Sequence, residues 1–196
     1  MLKRLIALGA ALIALASLSP AKAADSDLVV IVTNKSYAKF NYTHDVPFAH
    51  EDGKAFKQAA IDVFGVPEGR IIMREDLAQS GFNQLFGIDS IQSSLIAKRL
   101  NNTKARLYVF YSGHGMPSPQ GADGNRTAYL MPVEADPTSI ESMGYSLERL
   151  KERLREIKKD LLPDGQVILI LDACFSGTSP KGAHIDKSSA GGPIRL

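Results

Sequence analysis

This 196-residue chain predicts an α/β fold built on a mainly parallel sheet, and three observations lead there. First, Leu28 to Thr33, Ala105 to Tyr111 and Gln166 to Leu171 are nearly unbroken apolar runs rich in β-branched and aromatic residues, the pattern of strands covered on both faces. Second, amphipathic helical stripes separate these runs, and strands alternating with helices wind into parallel sheets. Third, 44% hydrophobic and 22% charged residues suit a globular protein and exclude collagen, coiled coil and wholesale disorder.

The chain opens with Met1-Leu2-Lys3-Arg4, then fourteen uncharged residues from Leu5 to Leu18, then Ser19-Pro20-Ala21-Lys22-Ala23. A basic start, an apolar stretch and an A-x-A end describe a secretory signal peptide over 1–23, cleaved after Ala23. The competing membrane anchor fails on length. Fourteen helical residues reach about 21 Å, short of a hydrocarbon core of ~30 Å. No cysteine follows the apolar stretch to take a lipid. Lys3, Arg4 and Lys22 leave with the segment, so the formal +2 becomes −1, with 20 basic against 21 acidic residues. The body is thus expected to be exported, free of the membrane after cleavage, and without a nucleic-acid partner.

In order, the elements read as follows. Leu28–Thr33 is the first strand. Glu51 to Phe64 puts Ala55, Phe56, Ala59, Ala60 and Val63 at helical spacing, and Gly65 and Pro67 end that helix. Arg70 to Arg74 is a short second strand. Ile88 to Leu100 predicts a second helix, with Ile88, Ile91, Leu95, Ile96 and Leu100 on one stripe. Ala105–Tyr111 is the third strand, a Gly- and Pro-rich loop runs from Ser112 to Asn125, and Thr127 to Met131 forms a small extra strand. Ser146 caps a third helix carrying Leu147, Leu150, Leu154 and Ile157, whose charged face, Leu150 to Lys159, looks to solvent. Gln166–Leu171 is the fourth strand. From Gly177 the chain is Gly-, Ser- and Lys-rich and reads as loop or linker.

In parallel sheets, reactive groups gather at the carboxyl ends of strands. The third strand runs into Ser112-Gly113-His114-Gly115, and the fourth into Asp172-Ala173-Cys174-Phe175-Ser176-Gly177. The chain's only cysteine and a glycine-flanked histidine therefore share one sheet edge, and come together if the strands are neighbours. A lone cysteine is more often a small buried hydrophobe, and a lone loop histidine more often solvated. Their shared placement favours chemistry. A base beside a thiol generates the thiolate nucleophile and can later protonate a leaving amine. The N–H groups of Gly115 and Cys174 could serve a developing oxyanion.

The blocks Tyr108-Val109-Phe110-Tyr111-Ser112-Gly113-His114-Gly115 and Ile168-Leu169-Ile170-Leu171-Asp172-Ala173-Cys174-Phe175-Ser176-Gly177 resemble the two catalytic blocks of caspase-like cysteine peptidases, most closely the bacterial members and metacaspases. Tyr129 to Asp136 resembles the stretch between those blocks. Asn34-Lys35-Ser36-Tyr37 and Glu51-Asp52-Gly53-Lys54-Ala55 are looser matches. The resemblance spans residues 28–178 or so and implies a three-layer caspase-like fold in a domain over 24–178. His114 is then the base, Cys174 the nucleophile, and Gly115 with Cys174 the oxyanion hole. Asp172 and Asp52 correspond to metacaspase carboxylates that line the pocket for the residue before the scissile bond, which implies cleavage of proteins or peptides after Arg or Lys. By the residues alone, Asp172 is a turn residue and Asp52 an acid favoured by a helix N-terminus.

Animal caspases differ at three points. They carry Gln where Asp172 stands, lack the extra residue that Ser176 adds before Gly177, and have a His-to-Cys spacing of ~50 residues, somewhat shorter than here. The family domain usually continues with further strands. The stretch 179–196 is instead expected to be a linker or a truncated C-terminal part, with Lys181 and Lys187 as self-cleavage sites and the fourth strand left at a sheet edge. No cofactor is required by the sequence. Calcium, which some metacaspases need, stays open through Asp123, Asp136 and Asp186, although no ordered carboxylate spacing supports it. His44, His50 and His184 read as solvated loop residues that make no zinc set with one cysteine. Two other readings compete: a caspase-fold pseudoenzyme or interaction module, and a flavodoxin-like binding domain. The latter lacks a phosphate-binding glycine loop.

Overall fold

The computed structural model describes residues 25–37, 44–120, 126–175 and 194–195. The segment 1–23, Asp123, His184, Asp186, Lys181 and Lys187 lie outside the described residues. Among those described, no helix is long and apolar enough to cross a membrane.

The elements are β1 (Leu28–Thr33), α1 (Ala49–Asp62), β2 (Ile71–Glu75), α2 (Gln79–Phe86), α3 (Leu95–Arg99), β3 (Arg106–Ser112), β4 (Gly115–Pro117), β5 (Ala128–Leu130), α4 (Ile140–Met143), β6 (Tyr145–Ser146), α5 (Leu147–Asp160), β7 (Gln166–Asp172) and β8 (Ile194–Arg195). The main sheet has the order β2-β1-β3-β7-β8. Its first four strands are parallel, flanked by helices, as the alternating pattern predicts. Strand period sorts the side chains of β1. Leu28, Val30 and Val32 join one core with Phe82 and Leu85 of α2, Ile96 of α3 and Leu150, Leu154 and Ile157 of α5. Val29 and Ile31 join a second core with Ala60 of α1 and Tyr108 and Phe110 of β3. Three layers result, with β1 and β3 buried on both faces.

Several expectations need correction. The stripe from Ile88 to Leu100 is not one helix: Ser90 and Ser94 are extended, Ile91–Ser93 is a 3-10 turn, and only Leu95–Arg99 is α-helical. Ile88 is exposed. The Ser94 hydroxyl accepts the Ala97 N–H, a cap that starts a new helix rather than continuing an old one. Helix α2, unforeseen in the sequence, buries Phe82, Leu85 and Phe86. Strands β4, β5 and β6 form a separate antiparallel sheet in which only β5 was expected. The outer side of β7 is not bare either, because β8 pairs antiparallel with Ile168 and Leu169. Ser146 does cap α5, accepting the Arg149 N–H at 3.3 Å.

Candidate active site

Strands β3 and β7 are direct neighbours, paired in parallel from Arg106↔Gln166 to Ser112↔Asp172. His114 and Cys174 each follow two residues beyond that last pair. The register alone therefore brings the two chain exits side by side. Beyond it, the Gly113 N–H donates to the Asp172 carbonyl at 3.3 Å. A Cβ on Gly115 would stand 2.9 Å from the Cys174 carbonyl and 2.6 Å from the Phe175 ring. Real Cβ atoms avoid such distances, so glycine at 115 is what permits the histidine and cysteine loops to touch. The thiol is free and half-buried.

His114 is held from several sides. Its Nε2 lies 2.6 Å from the His44 carbonyl oxygen. A carbonyl only accepts, so Nε2 carries the hydrogen and Nδ1 keeps the lone pair. Burial pushes the imidazole below its ordinary 6.5, against the opposing pull of the His44 carbonyl. The ring is therefore neutral near pH 7 and able to take a proton. Its main chain meets two phenols: the His114 N–H donates to Tyr37 Oη at 3.1 Å, and Tyr111 Oη donates to the His114 carbonyl at 2.8 Å. A Cβ on Gly113 would fall 2.7 Å from Tyr111 Oη and 2.9 Å from Tyr37 Oη, so residue 113 must be glycine for both hydroxyls to fit.

The Met131 N–H donates to the His114 carbonyl, which makes His114 and Met131 a hydrogen-bonded antiparallel pair. The next pair, Gly115 and Leu130, is then of the non-hydrogen-bonded kind, with the Gly115 N–H turned away from β5. That amide is left for another acceptor.

The two carboxylates named from the sequence lie near enough for the charge of one to act on the other. Asp52 sits in the first turn of α1, and its carboxyl is raised above its ordinary 3.8 by burial, then by the charges of Asp172 and Glu51. Exposed Asp172 takes the Ser112 hydroxyl at 3.3 Å. Among the described residues neither carboxylate has a salt bridge.

Other residues depart from expectation. His50 is not a solvated loop residue. It lies in α1, half-buried, with Nε2 3.2 Å from Asp76 Oδ1. His44 is an exposed loop residue, as expected, and its main-chain carbonyl accepts from His114. Asp136 caps a 3-10 turn by accepting the Thr138 N–H at 2.8 Å. No group of three potential metal-binding side chains occurs among the described residues. Sequence reasoning missed Asn34 altogether as a structural hub. It is fully buried, accepts the Leu77 N–H at 2.8 Å and donates to the Met131 carbonyl at 2.9 Å, which ties β1 to the loop after β5. The available signals were a polar residue directly after a buried strand and the loose family match of Asn34-Lys35-Ser36-Tyr37.

No family model matches the chain, and no curated protein matches it. What the fold and site define is an α/β protein that presents a thiol, a neutral imidazole and two carboxylates at the carboxyl end of a parallel sheet.

Proposed function

We propose that the chain is an exported cysteine endopeptidase of the caspase-like kind that cleaves after Arg or Lys. The single observation carrying this reading is the β3–β7 register, which delivers His114 and Cys174 to adjacent exits at one sheet end. In this reading, His114 Nδ1 accepts the Cys174 proton while Nε2–H stays on the His44 carbonyl. The thiolate attacks the scissile carbonyl carbon, and the Gly115 and Cys174 N–H groups receive the oxyanion. The Nδ1 proton then passes to the leaving amine. Water, deprotonated by the same nitrogen, hydrolyses the thioester and restores the thiol. Asp52 and Asp172 hold the basic side chain before the scissile bond. Nothing in this sequence of steps needs a metal, and calcium dependence is a separate question for titration.

The test is turnover of fluorogenic peptides ending in Arg, Lys or Asp by wild type and Cys174→Ala. Cleavage of the Arg and Lys reporters is expected, with a loss of at least about a thousandfold in the variant. Turnover of the Asp reporters alone would overturn the specificity. Equal inertness of both proteins would instead assign the chain as a pseudoenzyme or interaction module.

A further inference from the structure

The β4–β5 ladder contains an irregularity at the histidine. His114 and Met131 are paired by one direct bond, Met131 N–H to the His114 carbonyl at 3.0 Å. The reciprocal bond of such a pair, His114 N–H to the Met131 carbonyl, is not made directly. The Tyr37 hydroxyl stands between the two groups, accepting the His114 N–H at 3.1 Å and donating to the Met131 carbonyl at 3.2 Å. The ring of Tyr37 lies against the imidazole, with centroids 4.7 Å apart and planes inclined by 52°.

We propose that Tyr37 is a positioning residue of this site: its hydroxyl, wedged into the strand pair, holds the main chain of His114 off Met131 and so sets where the imidazole stands relative to Cys174. The proposal rests on the peptidase reading for its consequence, though not for its geometry. A direct ladder bond would close to about 2.9 Å. The inserted hydroxyl replaces one such span by two bonds in series, so removing it lets His114 shift toward Met131 by a sizeable part of that difference.

The wedge is itself rigidly mounted. Tyr37 is 1% exposed, and its own N–H donates to Asp45 Oδ1 at 2.9 Å. The two preceding amides, Lys35 and Ser36, donate to Asp76 Oδ1 at 2.8 and 3.0 Å. Burial pushes the phenol up to about 12, so the hydroxyl keeps its hydrogen over the working range of a thiol enzyme. Two of the groups that hold the histidine, Tyr37 on its backbone and the His44 carbonyl on its ring, belong to the connection between β1 and α1. The titratable groups around His114 are Tyr37, His44 and Asp45 from that connection, Tyr111 on β3, and Asp172 and Cys174 at the end of β7.

The experiment measures alkylation of Cys174 by iodoacetamide in the full chain, as the ratio of rates at about pH 6.5 and about pH 9.5. At the lower pH an ordinary thiol is almost wholly protonated and its alkylation depends on help from a base, whereas at the higher pH an ordinary thiol ionises unaided. His114→Ala sets the floor. Tyr37→Phe keeps the ring contact and is expected to lower the ratio about tenfold toward that floor. Tyr111→Phe should lower it less, because the His114 carbonyl keeps its bond from Met131. A purely structural loss would lower the melting temperature without moving the ratio. If Tyr37→Phe does not fold, Gly113→Ala displaces the same hydroxyl, and it should lower the ratio likewise. A wild-type ratio in Tyr37→Phe, alongside a collapsed one in His114→Ala, overturns the positioning role and leaves the peptidase reading standing. A wild-type ratio in His114→Ala overturns both.

Discussion

The two ends of the main sheet handle charge in opposite ways. At the amino end, Asp27 is 1% exposed and fully engaged: it accepts the Arg106 N–H at 2.8 Å and Arg106 Nε at 2.7 Å. Beside it, the Arg70 guanidinium donates to the carbonyls of Ser26, Asp27 and Arg99. At the carboxyl end, the charge of Asp172 acts on Asp52, with a thiol and a neutral imidazole at the neighbouring strand exits. The first arrangement stabilises the fold and leaves little for a ligand. In the second, the neighbouring charge of Asp172 adds to burial in raising the Asp52 carboxyl. Charge is buried and paired at the amino end, and like charges lie near one another without an ion pair among the described residues at the carboxyl end.

That contrast can be broken by mutation at either end. The largest effect on stability belongs to Asp27→Ala, which strands Arg106 and removes an acceptor for its amide. About 3 kcal/mol of unfolding free energy should be lost, read from the urea midpoint. At the other end, Asp172→Asn should leave that midpoint nearly unmoved while lowering kcat/KM for an Arg reporter about tenfold or more. If Asp172→Asn instead unfolded the protein and Asp27→Ala did not, the two ends would have been assigned the wrong way round.

The smallest effect is a pH-dependent one at Asp52. Its carboxyl is raised in the fold, so its contribution to stability is fully present below the ordinary 3.8 and is lost as pH rises through the raised value. Asp52→Asn removes that loss. Thermal unfolding of variant and wild type should coincide in acid, and the variant should melt slightly higher at neutral pH. A variant that melts lower at neutral pH would show that Asp52 has a stabilising partner instead.

The same contrast explains how much could be read without coordinates. Strands β1 and β3 were legible because burial on both faces leaves an unmistakable apolar run. Strand β7 was legible from its apolar run too, although Ile168 and Ile170 on one face are only partly buried. Helix α5 was legible because Ser146 announces it and its leucines repeat in period. Helix α2 was not, since Gln79-Ser80-Gly81 opens it with loop-like residues, and its N-terminal amide is capped from afar, by Glu134 Oε1 on the Gln79 N–H at 2.7 Å. Strands β4 and β6 have three and two residues, too few for any period to show. At the candidate site, His114 and Cys174 stood out by position after strands, whereas Asp172 and Asp52 were named through the family resemblance. Tyr37 and Asn34 fell in a looser match to the family, but their roles did not show, because those lie in contacts with Met131 and His114, far along the chain. Residue type and local spacing carry no record of such partners.

The most direct test of the central claim is covalent capture. A peptide with a C-terminal arginyl acyloxymethyl ketone should be incubated with wild type, Cys174→Ala, His114→Ala and Asp172→Asn, and the adduct mapped by mass spectrometry. A single adduct on Cys174 of the wild type, slowed in His114→Ala and Asp172→Asn and absent in Cys174→Ala, is the predicted result. Labelling that is absent from the wild type, or that proceeds equally fast without His114 and Asp172, would contradict a reactive centre at the carboxyl end of the sheet.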